Sequence, residues 1–235
     1  MERRLGRVLL TRLDAVAHIP AVRGWRDQRP YNTSYYRRNR QREIDRVMTR
    51  QRVTLEFLRE LRNVPCMDCG ERFEPHQMDF DHRDPATKLF QITDSEAMLM
   101  RRDRLLAEIA KCDVVCSNCH AARTYTLQAA RKALRRETGT LVSTPRRARQ
   151  RDREATRREL ITSLKDRPCL DCVRCFPPYV MQFDHRDPTQ KKFVLSSSWL
   201  KATTTIVAEA AKCDIVCSNC HRHRTFRRRS QAGVL

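Results

Sequence analysis

Eight cysteines and two Asp-His pairs carry the chemistry written in this chain. Cys66 and Cys69 are separated by two residues, as are Cys116 and Cys119, and Cys169, Cys172, Cys217 and Cys220 repeat the pattern. Two intervening residues let both sulfurs of a pair reach one ion from a tight turn, and paired knuckles have the ligand spacing of tetrahedral zinc. The pairs of each set lie far apart in sequence, so the metal would close a long loop and replace missing core. The competing reading, eight buried or disulfide-bonded cysteines, does not explain why the doubled spacing occurs twice. Between the knuckles lie Asp81-His82 in one set and Asp184-His185 in the other, and each second knuckle is followed directly by a histidine, His120 or His221. A hard carboxylate and an imidazole suit a divalent ion other than the zinc. A neighbouring neutral histidine can take a proton from water, because its pKa lies near working pH.

These residues sit in a sequence written twice. PCMDCGERFEPHQMDFDHRDP from Pro65 matches PCLDCVRCFPPYVMQFDHRDP from Pro168, and AEIAKCDVVCSNCHAARTY from Ala107 matches AEAAKCDIVCSNCHRHRTF from Ala208. The offset is 103 residues at the front and 101 at the back. Such self-similarity means two copies of one folding unit. Cys112 and Cys213, four residues before the second knuckles, read as small buried residues packing a helix end. Cys175 faces Arg72 in the other copy and reads as a spare thiol.

Each copy needs elements to place its site. Ile44, Val47, Met48, Leu55, Leu58 and Leu61 recur at helical spacing among arginines until Pro65 closes the run. Thr144-Pro145 reads as the cap and first turn of a second basic helix that reaches Leu160, Ile161 and Leu164. Thr93-Asp-Ser-Glu96 has capping-box form and predicts a helix ending near Lys111; the matching segment from Ser196 is less regular. Met78 to His82 alternates apolar and polar residues as a half-buried strand, as does Met181 to His185. Alternation puts Asp81 and His82 on opposite faces, so one site using both requires a bend, and the Arg-Asp-Pro that follows is turn chemistry. The segment after each second knuckle has helical promise. The expected organisation is residues 1–30 without assigned role, a first module over 31–136, a linker over 137–145 and a second module over 146–235. The expected fold class is α+β, small and stapled by metal.

The order CxxC, then Asp-His, then CxxC-His resembles the HNH (ββα-metal) endonuclease family, and both copies contain it. The resemblance implies two modules in which a β-hairpin and a helix grip one divalent ion, Mg²⁺, Mn²⁺ or another, beside one structural Zn²⁺ per module. It implies Asp81 and His120 as ligands of the catalytic ion and His82 as general base, with Asp184, His221 and His185 repeating the roles. The sequence departs from the family at its asparagine: five residues before the second knuckle stand Lys111 and Lys212. The shared asparagines nearby are Asn118 and Asn219 inside CSNCH, which either orient the base or cap the knuckle turn. Lys111, Lys212, Arg83, Arg123, Arg186 and Arg224 are candidates for phosphate contacts, with salt bridges to Asp84 and Asp187 the alternative for Arg83 and Arg186. His18, His76 and His223 have no counterparts and read as incidental surface histidines.

Composition narrows the partner. Lys plus Arg number 48 against 28 acidic residues, a formal net charge of +20. That excess suits a polyanion, and guanidinium forks suit phosphate oxygens. Aromatics are 6% of the chain, sparse for stacking single-stranded RNA bases, which favours DNA, expected double-stranded. No segment approaches the roughly 20 apolar residues of a membrane span, and Arg7, Arg12 and Asp14 interrupt what would be a signal peptide. The expected location is cytoplasmic, where thiols stay reduced and bind metal. The sequence therefore predicts a metal-dependent DNA endonuclease with two sites. Its modules would be paired within one chain so that each cuts one strand. The competing readings are a zinc-stabilised DNA-binding protein without catalysis, a regulator or packaging accessory, and a chain with one live module and one that only binds.

Overall fold

The structure, a computed structural model, describes residues 33–137, 144–198 and 200–233. The unassigned segment 1–30, with His18, lies outside them, and so does most of the linker at 137–145. Among the described residues no helix is long and apolar enough to cross a membrane.

The chain forms two compact units that do not follow the repeat. Of the described residues, one takes those up to Leu61 together with Leu89–Glu108, the other Arg62–Lys88 and those from Ile109 onward. The first unit holds helix α1 (Thr33–Arg62), the short α2 (Asp94–Ala97) and α3 (Arg102–Ile109). Its buried apolar side chains, among the described residues, are Phe57, Leu58, Leu61, Ile92, Ala97 and Leu105, and the Arg102 guanidinium lies over the Phe57 ring at 3.9 Å. The apolar stripe foreseen along α1 is buried only at its end, for Ile44, Val47 and Met48 are exposed. Thr93 caps α2 by accepting from the Glu96 amide at 3.2 Å. The single helix expected from there to Lys111 is two pieces, parted at an exposed Leu99.

The second unit contains both hairpins. β1 (Met78–His82) pairs antiparallel with β2 (Cys112–Cys116), which runs directly into α4 (Ser117–Glu137). β3 (Met181–His185) pairs with β4 (Cys213–Cys217), which runs into α7 (Ser218–Gln231). The registers match residue for residue: Asp81 opposes Asp113, and Asp184 opposes Asp214. α5 (Pro145–Leu164) comes between the hairpins, and α6 (Thr203–Ala210) comes between the strands of the second. Thr144 caps α5 with Pro145 in its first turn, as its sequence predicts. Two apolar clusters support the second hairpin. Ile161, Leu195, Ile206 and Cys213 join α5 and α6 to it, Cys169, Val180, Met181, Ile215, Val216 and Cys217 form the second cluster, and Phe183 packs against both. The fold is mixed helix and small antiparallel sheet, α+β.

Candidate metal centres

The knuckles form as their spacing requires. The sulfurs of Cys66, Cys69, Cys116 and Cys119 lie within 4.8 Å of one another, and so do those of Cys169, Cys172, Cys217 and Cys220. The Gly70 amide closes the first knuckle on the Cys66 carbonyl at 2.9 Å, with Gly70 at φ 72°. Val173 makes the same bond to Cys169 at φ 60°, a left-handed backbone that a β-branched residue rarely adopts. The Cys116 amide donates to the Cys66 sulfur at 3.2 Å and the Cys217 amide to Cys169 at 3.2 Å. Burial would lift Cys66, but those amides and others of the knuckle turn it below its ordinary value. Cys69 is pushed up to about 11, first by burial. Four sulfurs this close ionise together only around a cation, so each set could hold a tetrahedral zinc ion. Cys112 and Cys213 are buried apart from the clusters, and Cys175 is exposed.

A second group of ligand-type residues lies beside the first knuckle. β1 alternates cleanly, burying Met78, Phe80 and His82 and turning Asp79 and Asp81 to the other face. The first turn of α4 brings His120 to that face. Its Nδ1 is 2.9 Å from Asp79 and its Nε2 3.6 Å from Asp81. The hydrogen bond to Asp79 raises His120 above its ordinary value. Burial would lift Asp79, but His120 and the Arg222 guanidinium, 2.6 Å away on α7, hold it below. In the second copy His221 stands 3.4 Å from Asp184, where both Asp79 and its role are missing because Gln182 occupies the position. Arg224 and Arg228 take the Asp184 carboxylate instead, Arg228 through both nitrogens at 2.9 and 2.5 Å. The Asp184 side chain is 3% exposed against 22% for Asp81. Burial lowers His221.

The other residues singled out in the sequence fall elsewhere. β1 pairs in unbroken register to His82↔Cys112, so the bend that would bring His82 beside Asp81 is not there. His82 is buried on the opposite face, and His185 is buried too, 3.0 Å from the carboxylate of Glu209 on α6. Neither histidine joins the Asp81–His120 or Asp184–His221 group. The six candidate phosphate cations are held by their own modules. Arg123 grips Asp68, Asp113 and Asp81, and Arg224 grips Asp171, Asp214 and Asp184. Arg83 donates to the carbonyls of Ala110 and Cys112 and pairs with Asp113, not Asp84; Arg186 does the same at Ala211, Cys213 and Asp214. Lys111 donates to the Thr87 carbonyl and Lys212 to that of Gln190.

Asn118 and Asn219 neither face a base nor cap their own turns. Each side-chain oxygen accepts the amide of the other, at 3.0 and 3.1 Å, so each helix start is capped by the asparagine of the opposite copy. Around this pair the copies meet with two-fold likeness. His76 stacks on Phe226 with centroids 4.1 Å apart, and the matching Tyr179 stacks on the matching Tyr125 at 4.1 Å. His223 bonds His76 at 3.1 Å, so these two histidines belong to the contact between copies and not to incidental surface. Glu71 pairs with Arg174, which is its own counterpart in the repeat. A cleft of about 350 Å³ opens along this seam, lined by Asp79, His120, Tyr125, Tyr179, His221 and Arg222.

Sequence reading passed over Asp79, Arg222 and Arg228. The available signal for Asp79 was its place two residues before Asp81, which on a strand means the same face. Comparison with family models, with characterised proteins and with solved structures returns no match, so the centre stands on its own geometry.

Proposed function

We propose that the chain is a metal-dependent endonuclease of the HNH type that hydrolyses phosphodiester bonds of DNA, expected double-stranded. The observation that carries the reading is the trio of Asp79, Asp81 and His120, anchored between two knuckles of a site fit for zinc. A purely structural zinc module has no need of a carboxylate–histidine–carboxylate face, of which Asp79 and His120 line a cleft. The charge of +20 supplies the attraction for the substrate.

Asp81 and His120 would hold the catalytic ion, a hard divalent cation such as Mg²⁺ or Mn²⁺. Asp79 fixes the ring by accepting from Nδ1, which leaves Nε2 directed at the Asp81 side. When bound, the ion lowers the pKa of its water and stabilises charge on the scissile phosphate. His82, the base implied by the family resemblance, is assigned here to the packing beneath the strand.

The test is incubation of the full chain with supercoiled plasmid, with and without added Mg²⁺ or Mn²⁺. Cleavage is expected only with the added ion and should weaken steeply with salt. Asp81→Asn or His120→Ala should reduce the rate at least about 10²-fold. His82→Ala should lower thermal stability more than rate. A folded His82→Ala variant that has lost cleavage would return the base role to His82, and DNA binding without cutting under any divalent ion would leave the non-catalytic reading.

A further inference from the structure

The two copies treat the same Asp-His pair differently, and three positions account for it. Asp79 corresponds to Gln182, Ala121 to Arg222, and Leu127 to Arg228. In the first copy Asp81 keeps, among the described residues, a 3.3 Å contact from Arg123 and one at 3.6 Å from His120. In the second, Arg228 spans both oxygens of Asp184, and Arg224 adds a third donor at 3.0 Å. A cation reaching Asp184 meets two guanidinium charges already in contact with its ligand, in a partly desolvated place where like charges repel strongly. Gln182 brings no charge, and its amide nitrogen donates to the Ser218 hydroxyl at 3.3 Å. The same divergence serves the first copy. Arg222 crosses the seam to Asp79, whereas Ala121 at the matching place packs against the apolar cluster of the second hairpin.

We infer that the chain takes a single divalent cation outside its cysteine clusters, at Asp81 and His120, and that the second copy is closed to metal by Arg228 and acts as a positioning partner through Arg222. The inference rests on the nuclease reading for what the ion does, but the place and number of ions are separate from it. With one ion, each encounter breaks one strand, and the product from plasmid is nicked circle, not the linear molecule expected from two live sites.

The experiment titrates the zinc-loaded full chain with Mn²⁺ and reads bound ion by loss of the free-ion electron paramagnetic resonance signal. Zinc content and circular dichroism confirm folding of each variant. One Mn²⁺ per chain is expected. Asp81→Asn and His120→Ala should abolish binding, and Asp184→Asn and His221→Ala should leave it intact. Arg228→Leu with Gln182→Asp, which writes the first copy's residues into the second, should add a second ion; Arg228→Ala alone is the milder variant if the pair does not fold. Arg222→Ala should weaken Mn²⁺ binding about 10-fold, with recovery in Arg222→Lys. Two ions in the parent, or loss of the ion with Asp184→Asn, overturns the single-site assignment while the nuclease reading survives. Unchanged or tighter binding in Arg222→Ala overturns the positioning role. One ion in this pattern with no DNA cleavage keeps the inference and removes the nuclease reading.

Discussion

The two hairpins carry the same knuckles, the same strand register and the same Asp-His pair, yet one acid is open and the other is locked. The locked acid is buried beneath two arginines, so the fourth residue of β3 is buried where that of β1 is half-exposed. What the copies share is the frame: the cysteines, the arginine clamps of Arg123 and Arg224, the serines that donate to Gln77 and Val180, the asparagines that cap across the seam. What they do not share is the chemistry of the open face. Residues common to two copies of a fold report first on what the fold needs.

The largest effect is expected from substitutions in the frame. Cys69→Ser and Cys172→Ser should each reduce bound zinc from two to one per chain and unfold the hairpin concerned. A structural zinc site contributes on the order of 10–16 kcal/mol of apparent binding energy, as much as the whole stability of an ordinary domain, ~5–15 kcal/mol. Elemental analysis and thermal melts measure both. A variant that keeps two zinc ions shows its cluster is not a zinc site.

A middle-sized effect lies under the strands. Glu209 accepts from the Lys192 amide at 2.7 Å and touches His185 and Lys212; Glu108 accepts in the same way from Leu89. Glu209 is held at about 2, first by the Lys212 ammonium, against an ordinary 4.5. A carboxylate with a depressed folded pKa stabilises fully above its unfolded value. The contribution should therefore be complete above pH 4.5 and be lost as pH falls through about 2. Glu209→Gln should cost about 3 kcal/mol at neutral pH, with the difference from the parent shrinking below pH 4.5. Urea midpoints at several pH values test it, and a difference independent of pH removes the ion pair as its cause.

Much of this could be read before any coordinates. The doubled CxxC spacing located both clusters because two residues between thiolates is a local constraint, and Thr144-Pro145 located a helix start for the same reason. The pairing of Asp81 with His120 was an implication of the family resemblance, and strand alternation added only that Asp81 and His82 face opposite ways. What stayed hidden depended on residues meeting across the fold. Asn118 and Asn219 were open between orienting a base and capping their own turns, and nothing in CSNCH shows that two such helix starts abut. The shared arginines looked available for phosphate because their carboxylates, Asp68 and Asp113 for Arg123, lie on other elements. Arg228 is one basic residue in the run HRHRTFRRR, and only the helical turn that places it over Asp184 sets it apart.

The smallest expected effect lies at the knuckle turns. Val173→Gly should stabilise the second copy by about 1 kcal/mol, because glycine adopts the left-handed turn without a Cβ penalty. Gly70→Ala should cost a similar amount through backbone alone, since a Cβ there meets nothing within 4 Å. Thermal melts of the two variants should move in opposite directions, and a shift of the same sign in both would remove backbone strain as the difference.

The pairing of Glu71 with Arg174 has a consequence for how such a molecule can associate. The two residues occupy one position of the repeat, so the approximate symmetry brings that position against itself. A symmetric pair built from first copies would set glutamate against glutamate, and one built from second copies would set arginine against arginine. Only an unlike pair joins opposite charges there. The asparagines, by contrast, are self-complementary and would suit any combination. The duplicated chain thus carries a bias at its own axis: one contact that accepts every partner and one, exposed and therefore weak, that disfavours like with like and so tilts toward first-with-second pairing.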